Sequence, residues 1–111
     1  MSPDSFAETI EAHGCSISLR RVDGPDALEL FLSCQPPTEA TEASAQAAAI
    51  YRAIEDTLAA EGGSFESVVA ETVFLRNLRA DIEAVREARQ QVLAAHEGSC
   101  NPAITEIQQP P

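Results

Sequence analysis

Along residues 15–22, Ile17 and Leu19 are interleaved with Ser16, Ser18 and Arg20, a period of two that predicts a half-buried strand. Asp23-Gly24-Pro25-Asp26 follows as dense turn chemistry. The alternation resumes over residues 27–34, where Leu28, Leu30 and Leu32 are set against Glu29, Phe31 and Ser33. Two such runs around a short turn predict an antiparallel hairpin. Gln35-Pro36-Pro37 ends the second strand, because proline has no N–H to give to a ladder. The period then changes. Ala47, Ile50, Tyr51, Ile54 and Leu58 recur at spacings of three and four, on one face of an Ala-rich helix over residues 42–61. Thr38, Thr41 and Ser44 are its candidate caps, and Glu61-Gly62-Gly63 supplies the stop. Residues 64–67 read as a short helical turn or a loop. Val68-Val69-Ala70-Glu71-Thr72-Val73-Phe74-Leu75 is β-branched and apolar, and predicts a strand buried for most of its length. A second helix follows. Asp81 is its expected cap, and Ile82, Val85, Ala88 or Arg89, and Val92 stand at helical spacing. His96-Glu97-Gly98-Ser99 closes this helix, and residues 102–107 form a last short strand.

The order β-β-α-β-α-β predicts an α+β fold, a sheet with both helices on one face. Residues 1–14 read as an N-terminal segment ahead of one domain over residues 15–109. A chain of 111 residues fits a single domain. Charge narrows the partners. Seven basic residues, all arginine, stand against 18 acidic ones, for a net charge of −11. Binding to phosphate backbones rests on neutralisation by Lys and Arg, so nucleic acid and anionic membrane are not expected partners. The N-terminus has neither a basic region nor an apolar run, so no secretory signal is expected. No apolar stretch is long enough to span a bilayer, and a cytoplasmic protein is expected. Cys15, Cys34 and Cys100 are odd in number, widely spaced and without histidines at zinc spacing, so reduced buried thiols are expected and no metal site. No cofactor is implied.

Familiar catalytic signatures are absent: there is no GxGxxG or Walker A loop, no GxSxG and no HExxH. His13 and His96 lie beside element ends, where a solvated cap explains them better than a general base. Three polar features remain as candidates. Ser33, Cys34 and Gln35 sit where a strand leaves the sheet, with Cys34 the best candidate for a reactive thiol. Arg76 directly follows the apolar strand, and Thr105 lies in the last one. Each also has a plain structural reading: strand-end capping for Ser33 and Gln35, a surface ion pair for Arg76, a sheet-face hydroxyl for Thr105.

The wording of several segments resembles the RidA/YjgF family of reactive-intermediate deaminases. In that family a strand ending in a Ser-Gly-Gln-like turn and a proline precedes the first helix; here it reads Leu30-Phe31-Leu32-Ser33-Cys34-Gln35-Pro36. A "VVKTTVFL-x-D-L/M" strand then follows the first helix, matched by Val68-Val69-Ala70-Glu71-Thr72-Val73-Phe74-Leu75-Arg76-Asn77-Leu78. The family's "P-A-R-S/T" strand is matched by Pro102-Ala103-Ile104-Thr105. The resemblance runs from about Cys15 to Gln109 and is most specific over residues 58–78. It implies a chorismate-mutase-like fold and a homotrimer with clefts between subunits. Those clefts would take small 2-oxo acids or imines and be lined by Ser33, Cys34, Gln35, Arg76 and Thr105. Family enzymes hydrolyse enamines and imines to 2-oxo acids and ammonia, and the arginine of the P-A-R motif forks the ligand carboxylate.

Here Ile104 occupies that arginine position, and Cys34 stands where the family has glycine. The family's further strand after P-A-R, which carries an acidic residue that helps position the water, is not matched, so a sheet lacking its usual last strand is expected. The resemblance therefore implies a small-molecule-binding protein without the standard deaminase activity. Its alternatives are a divergent imine deaminase, with a compensating arginine from Arg76, Arg79 or Arg86, or the N-terminal half of a chorismatase-like enzyme.

Overall fold

The computed structural model of the protein describes residues 7–26, 28–94 and 103–108. Its elements run β1 (Ala7–Ala12), β2 (Cys15–Asp23), β3 (Leu28–Gln35), α1 (Ala43–Ala60), β4 (Ala70–Leu75), α2 (Leu78–Leu93) and β5 (Ala103–Gln108). The fold is α+β with two helices, as expected, and it differs from the sequence reading in two respects. Residues assigned to an N-terminal segment form a strand, β1, and the expected single sheet consists of two parts. One is antiparallel with order β1-β2-β3, and the other pairs β4 with β5 in parallel.

The β1–β2 hairpin turns on His13 and Gly14, with φ of 51° and 76°. Two successive positive φ values match the right-handed twist of the flanking strands. Glycine is needed at the second position, where a Cβ would also stand 3.3 Å from the Pro37 ring. The β2–β3 hairpin follows the expected alternation. Leu19 pairs with Leu32 and Ile17 with Cys34, while Ser18 pairs with Ser33 and Arg20 with Phe31 on the opposite face. Cys15, Ile17 and Leu19 are completely buried, whereas the Arg20 guanidinium lies 5.9 Å from the exposed Phe31 ring. The alternation is thus a division between a helix-facing layer and a polar outer face.

α1 packs on the three-stranded part, α2 on β4 and β5, and the two helices pack on each other. Alanine favours the helix and costs no side-chain entropy. Ala47 and Ala53 are buried, so the small side chains also let α1 approach its neighbours closely. Thr57, buried on the same helix, satisfies its hydroxyl by donating to the Ala53 carbonyl at 2.8 Å. None of Thr38, Thr41 or Ser44 caps α1. Its N-cap is Glu42, which makes no side-chain cap bond. At the other end Arg21 holds Glu61 through Nε at 2.6 Å and Nη2 at 2.8 Å, and also reaches Glu8. This cation offsets an acidic residue at the negative end of the helix dipole. Gly62, at φ 83°, then turns the chain.

A single 3-10 turn, Phe65–Ser67, follows, capped by Ser64, whose hydroxyl accepts from the Glu66 N–H. It drives Phe65 into the core, where its ring lies 6.4 Å from that of Tyr51. α2 starts three residues earlier than its expected cap. Asn77, not Asp81, occupies the N-cap and accepts from the Ala80 N–H at 3.2 Å. Val85, Ala88, Val92 and Leu93 form its buried face. β4 is half-buried rather than buried through most of its length. Val73 and Leu75 pack into the core, while Phe74 on the other face is 59% exposed. One core cluster joins the two sheet parts, because Leu30 and Leu32 of β3 pack against the same helical residues as Val73 and Leu75 of β4. No helix is long and apolar enough to cross a membrane among the described residues. His96 and Cys100 lie outside the described residues.

Candidate functional site

β4 and β5 run in parallel register, with Glu71 opposite Ile104, Thr72 opposite Thr105 and Val73 opposite Glu106. Residues paired in this way share a face. Glu71, Val73 and Glu106 turn toward the helices, and Thr72, Phe74, Thr105 and Ile107 turn away from them. On the helix side an acidic residue enters a layer that is otherwise apolar, and such a group requires partners. Glu71 has two. Its Oε1 accepts from the Arg89 Nε of α2 at 2.6 Å and from the Tyr51 hydroxyl of α1 at 3.0 Å. Both charged side chains are largely buried, with exposures of 15% for Arg89 and 16% for Glu71. The Arg89 guanidinium also lies 5.9 Å from the Tyr51 ring centroid. Burial, reinforced by the Glu71 carboxylate, pushes the Tyr51 phenol well above its ordinary value, so the hydroxyl stays protonated and donates.

Nearby, Arg86 forks Glu106 through Nε at 3.1 Å and Nη2 at 2.7 Å, with Glu83 at 3.6 Å on the same helix. The hydrogen bonds from Arg86 hold the Glu106 carboxyl below its ordinary range. Tyr51, Arg86, Arg89, Ile104 and Glu106 line a cleft of about 380 Å³ between the helices and β5. A second, more open depression of about 450 Å³ adjoins it at Leu78, Arg79, Arg86 and Gln108. The Gln108 side chain there accepts from the Leu78 N–H at 3.1 Å and ties the end of β5 to the start of α2. Among the described residues no group of His, Cys, Asp and Glu is placed to hold a metal ion.

The residues singled out from the sequence are spread over the molecule. Ser33 and Gln35 are exposed on the outer face of β3, and Thr105 is exposed on the outer face of β5. Cys34 points the opposite way, into the cluster of Cys15, Ile17 and Ala53 beneath α1. Burial and the neighbouring Cys15 push its thiol up to about 12, which does not favour the nucleophilic thiolate. Arg76 is exposed after β4 and makes no ion pair among the described residues. None of these five lines either cleft, whereas Ile104 does. His13 bonds Asp56 through Nε2 at 2.6 Å and ties the first hairpin to α1. Sequence reasoning missed the Tyr51–Glu71–Arg89 cluster. Its signal was present in Glu71, the one charge inside the run Val68 to Leu75.

No protein-family model matches the sequence, and no curated protein matches it significantly. Solved structures do match. A Pseudomonas aeruginosa protein of unknown function superposes with a TM-score of 0.63 at 23% identity, covering 94% of this chain and 82% of that one. Escherichia coli TdcF, solved with bound serine, gives 0.60 at 16% identity over 98% of this chain and 76% of TdcF. RidA from the Antarctic bacterium Psychrobacter gives 0.53 at 21% identity over 98% of this chain and 78% of RidA. The α+β arrangement of this chain is the fold of the RidA-like proteins.

Proposed function

We propose that this protein is a RidA-like small-molecule-binding protein, assembled as a homotrimer with clefts between subunits, that lacks the standard imine deaminase activity. The carrying observation is Ile104. In the family that the sequence resembles, this position of the Pro-Ala-Arg strand holds the arginine that forks the substrate carboxylate. An isoleucine side chain offers no donor, so the substrate is not anchored as deamination requires. Two further observations support the reading. TdcF, which shares the fold, was solved with a small amino acid bound. Phe31, Phe74 and Ile107 are exposed apolar side chains on the sheet faces turned away from the helices, and such a face suits contact between subunits.

A divergent imine deaminase is the second reading, favoured by Arg86 and Arg89 beside Ile104. The test is to generate 2-aminoacrylate in situ and follow imine loss beside an active RidA. Loss at the uncatalysed rate is expected. Acceleration that disappears in Arg89→Lys would establish the second reading instead. Native mass spectrometry tests the assembly, and a clean monomer at micromolar concentration would exclude clefts between subunits.

A further inference from the structure

We propose that the gap between β3 and β4 is an acceptor site for one β-strand of a partner polypeptide: an extended, proline-free segment that is apolar on both faces and carries Lys or Arg at its ends. This interaction surface is separate from the cleft beside Ile104 and does not rest on the small-molecule reading.

The sheet is divided at this place. β3 is an edge of the antiparallel part and β4 an edge of the parallel one, and neither edge has a second ladder partner among the described residues. One core lies behind both, because Leu30 and Leu32 of β3 and Val73 and Leu75 of β4 pack against the same helical residues. α1 packs on β3, α2 on β4, and the two helices on each other. Axes of helices in contact lie about 8–10 Å apart, close to two ladder spacings of about 4.8 Å, which leaves room for one strand. Open edges are usually protected by lysine, proline or an exposed charge. From Leu30 to Gln35 β3 has none of these, and the one charge of β4, Glu71, is turned inward onto Arg89. An open edge of this kind binds an extended segment through main-chain hydrogen bonds.

The occupant follows from what surrounds the gap. Leu30, Leu32, Val73 and Leu75 are half-buried on the helix side, and Phe31 and Phe74 are exposed on the other. A strand placed between them meets apolar side chains on both faces, which is the setting of an interior strand. It must also offer both of its edges. Each strand of a second copy already has at least one edge in a ladder, so it fills the gap only by leaving its own sheet. The segments of this chain outside its strands and helices are rich in Pro, Glu, Ser and Gly, and none holds more than two apolar residues in a row. A partner chain is left. This protein carries a charge of −11, so positive ends on the partner speed the encounter and favour the complex. The length is set by β4, whose six residues span about 20 Å.

The experiment is isothermal titration of the purified protein with the end-capped peptide Lys-Lys-Val-Ile-Val-Ile-Val-Thr-Lys-Lys, with amide hydrogen exchange of the free and bound protein. Binding is expected with a Kd on the order of 10 μM, and exchange should slow in both β3 and β4. A second peptide is N-methylated at alternate residues of its apolar run. It loses the donors of one edge and keeps those of the other, because successive N–H groups of a strand point to opposite sides. Insertion needs both edges, so this peptide should bind at least ~10-fold more weakly. A third, with Glu in place of each Lys, should bind ~10-fold more weakly at low salt. Equal binding of the half-methylated peptide, or slowing confined to one of the two strands, overturns insertion in favour of addition to a single edge. Equal binding of the Glu peptide overturns the basic character of the partner. Absence of binding, or β3 and β4 edge amides already slow to exchange in the free protein, overturns the acceptor site itself. Every arm uses the unaltered protein, so no outcome depends on a variant folding.

Discussion

Tyr51→Phe tests whether the Tyr51–Glu71–Arg89 cluster is energetically real. The change removes one oxygen and leaves the ring, so the packing against Phe65 and the Arg89 contact persist. What is lost is a hydrogen bond of 3.0 Å to Glu71, donated from a side chain that is 5% exposed. A buried hydrogen bond to a charged acceptor contributes about 2 kcal/mol. Glu71 keeps Arg89, so the charge is not stranded and the larger cost of a broken buried ion pair is avoided. For a domain of this size about 2 kcal/mol corresponds to a fall in Tm of about 10 °C. The assay is thermal and urea denaturation followed by circular dichroism at fixed protein concentration, because the chain has no Trp. In the Glu71→Gln background the same tyrosine change should cost only about 1 kcal/mol, since the acceptor is then neutral. The double-mutant cycle should therefore show a coupling of about 1 kcal/mol. A destabilisation under about 0.5 kcal/mol in the single variant, with no coupling, would refute the reasoning.

The other expectations are smaller or concern charge. Asn77→Ala removes the side-chain cap of α2 and should cost about 1 kcal/mol in the same denaturation assay; no change would mean that the cap does not govern the helix start. Glu61 and Glu106 are held below their ordinary value of 4.5 by hydrogen bonds from Arg21 and Arg86. A carboxyl lowered on folding contributes stability above its unfolded pKa and loses it as the pH falls through the folded one. Tm should therefore drop on acidification below about 4.5, and less steeply in Arg86→Gln; identical acid profiles would contradict the pairing. Cys34, raised to about 12, should react with iodoacetamide at pH 8 far more slowly than a free thiol, read site by site by mass spectrometry. RNA is expected to give no gel shift even at low salt, and a salt-sensitive shift would overturn the charge argument.

Much of the architecture could be read from periodicity, and the failures have identifiable causes. The alternation of Ile17, Leu19, Leu30 and Leu32 placed the β2–β3 hairpin and its core face correctly. β1 was missed because its turn is His13-Gly14 rather than the Asn-Gly or Asp-Gly that announces a tight hairpin. Its apolar side was also thin, with Ile10 and Ala12 facing inward. The α2 cap was misplaced because Asp81 and Asn77 are equally good cap chemistry, and local sequence does not choose between them. Cys34 had an answer in the sequence. It shares the period of Leu30 and Leu32, so it had to face the core when Ser33 and Gln35 faced outward. Arg89 was legible only as a competitor of Ala88 for the helix core face. Recognising it required seeing Glu71 as an inward charge in need of a cation, and that pairing is non-local.

The arginines connect the fold to the functional reading. The chain has seven basic residues, all of them arginine. Arg21, Arg86 and Arg89 are bound to carboxylates, and Arg20 lies over Phe31. Lysine could supply the charge at these places but not the planar fork that engages Glu61 and Glu106 through two nitrogens each. Three of the seven arginines thus join elements: β2 to the end of α1, β5 to α2, and β4 to α2. The first two of these joints are bidentate. The third holds Arg89 through Nε, with Nη2 buried and without a hydrogen-bond partner among the described residues. Arg86 and Glu106 of the second joint and Arg89 of the third all line the cleft beside Ile104, so a complete and an incomplete joint stand side by side there.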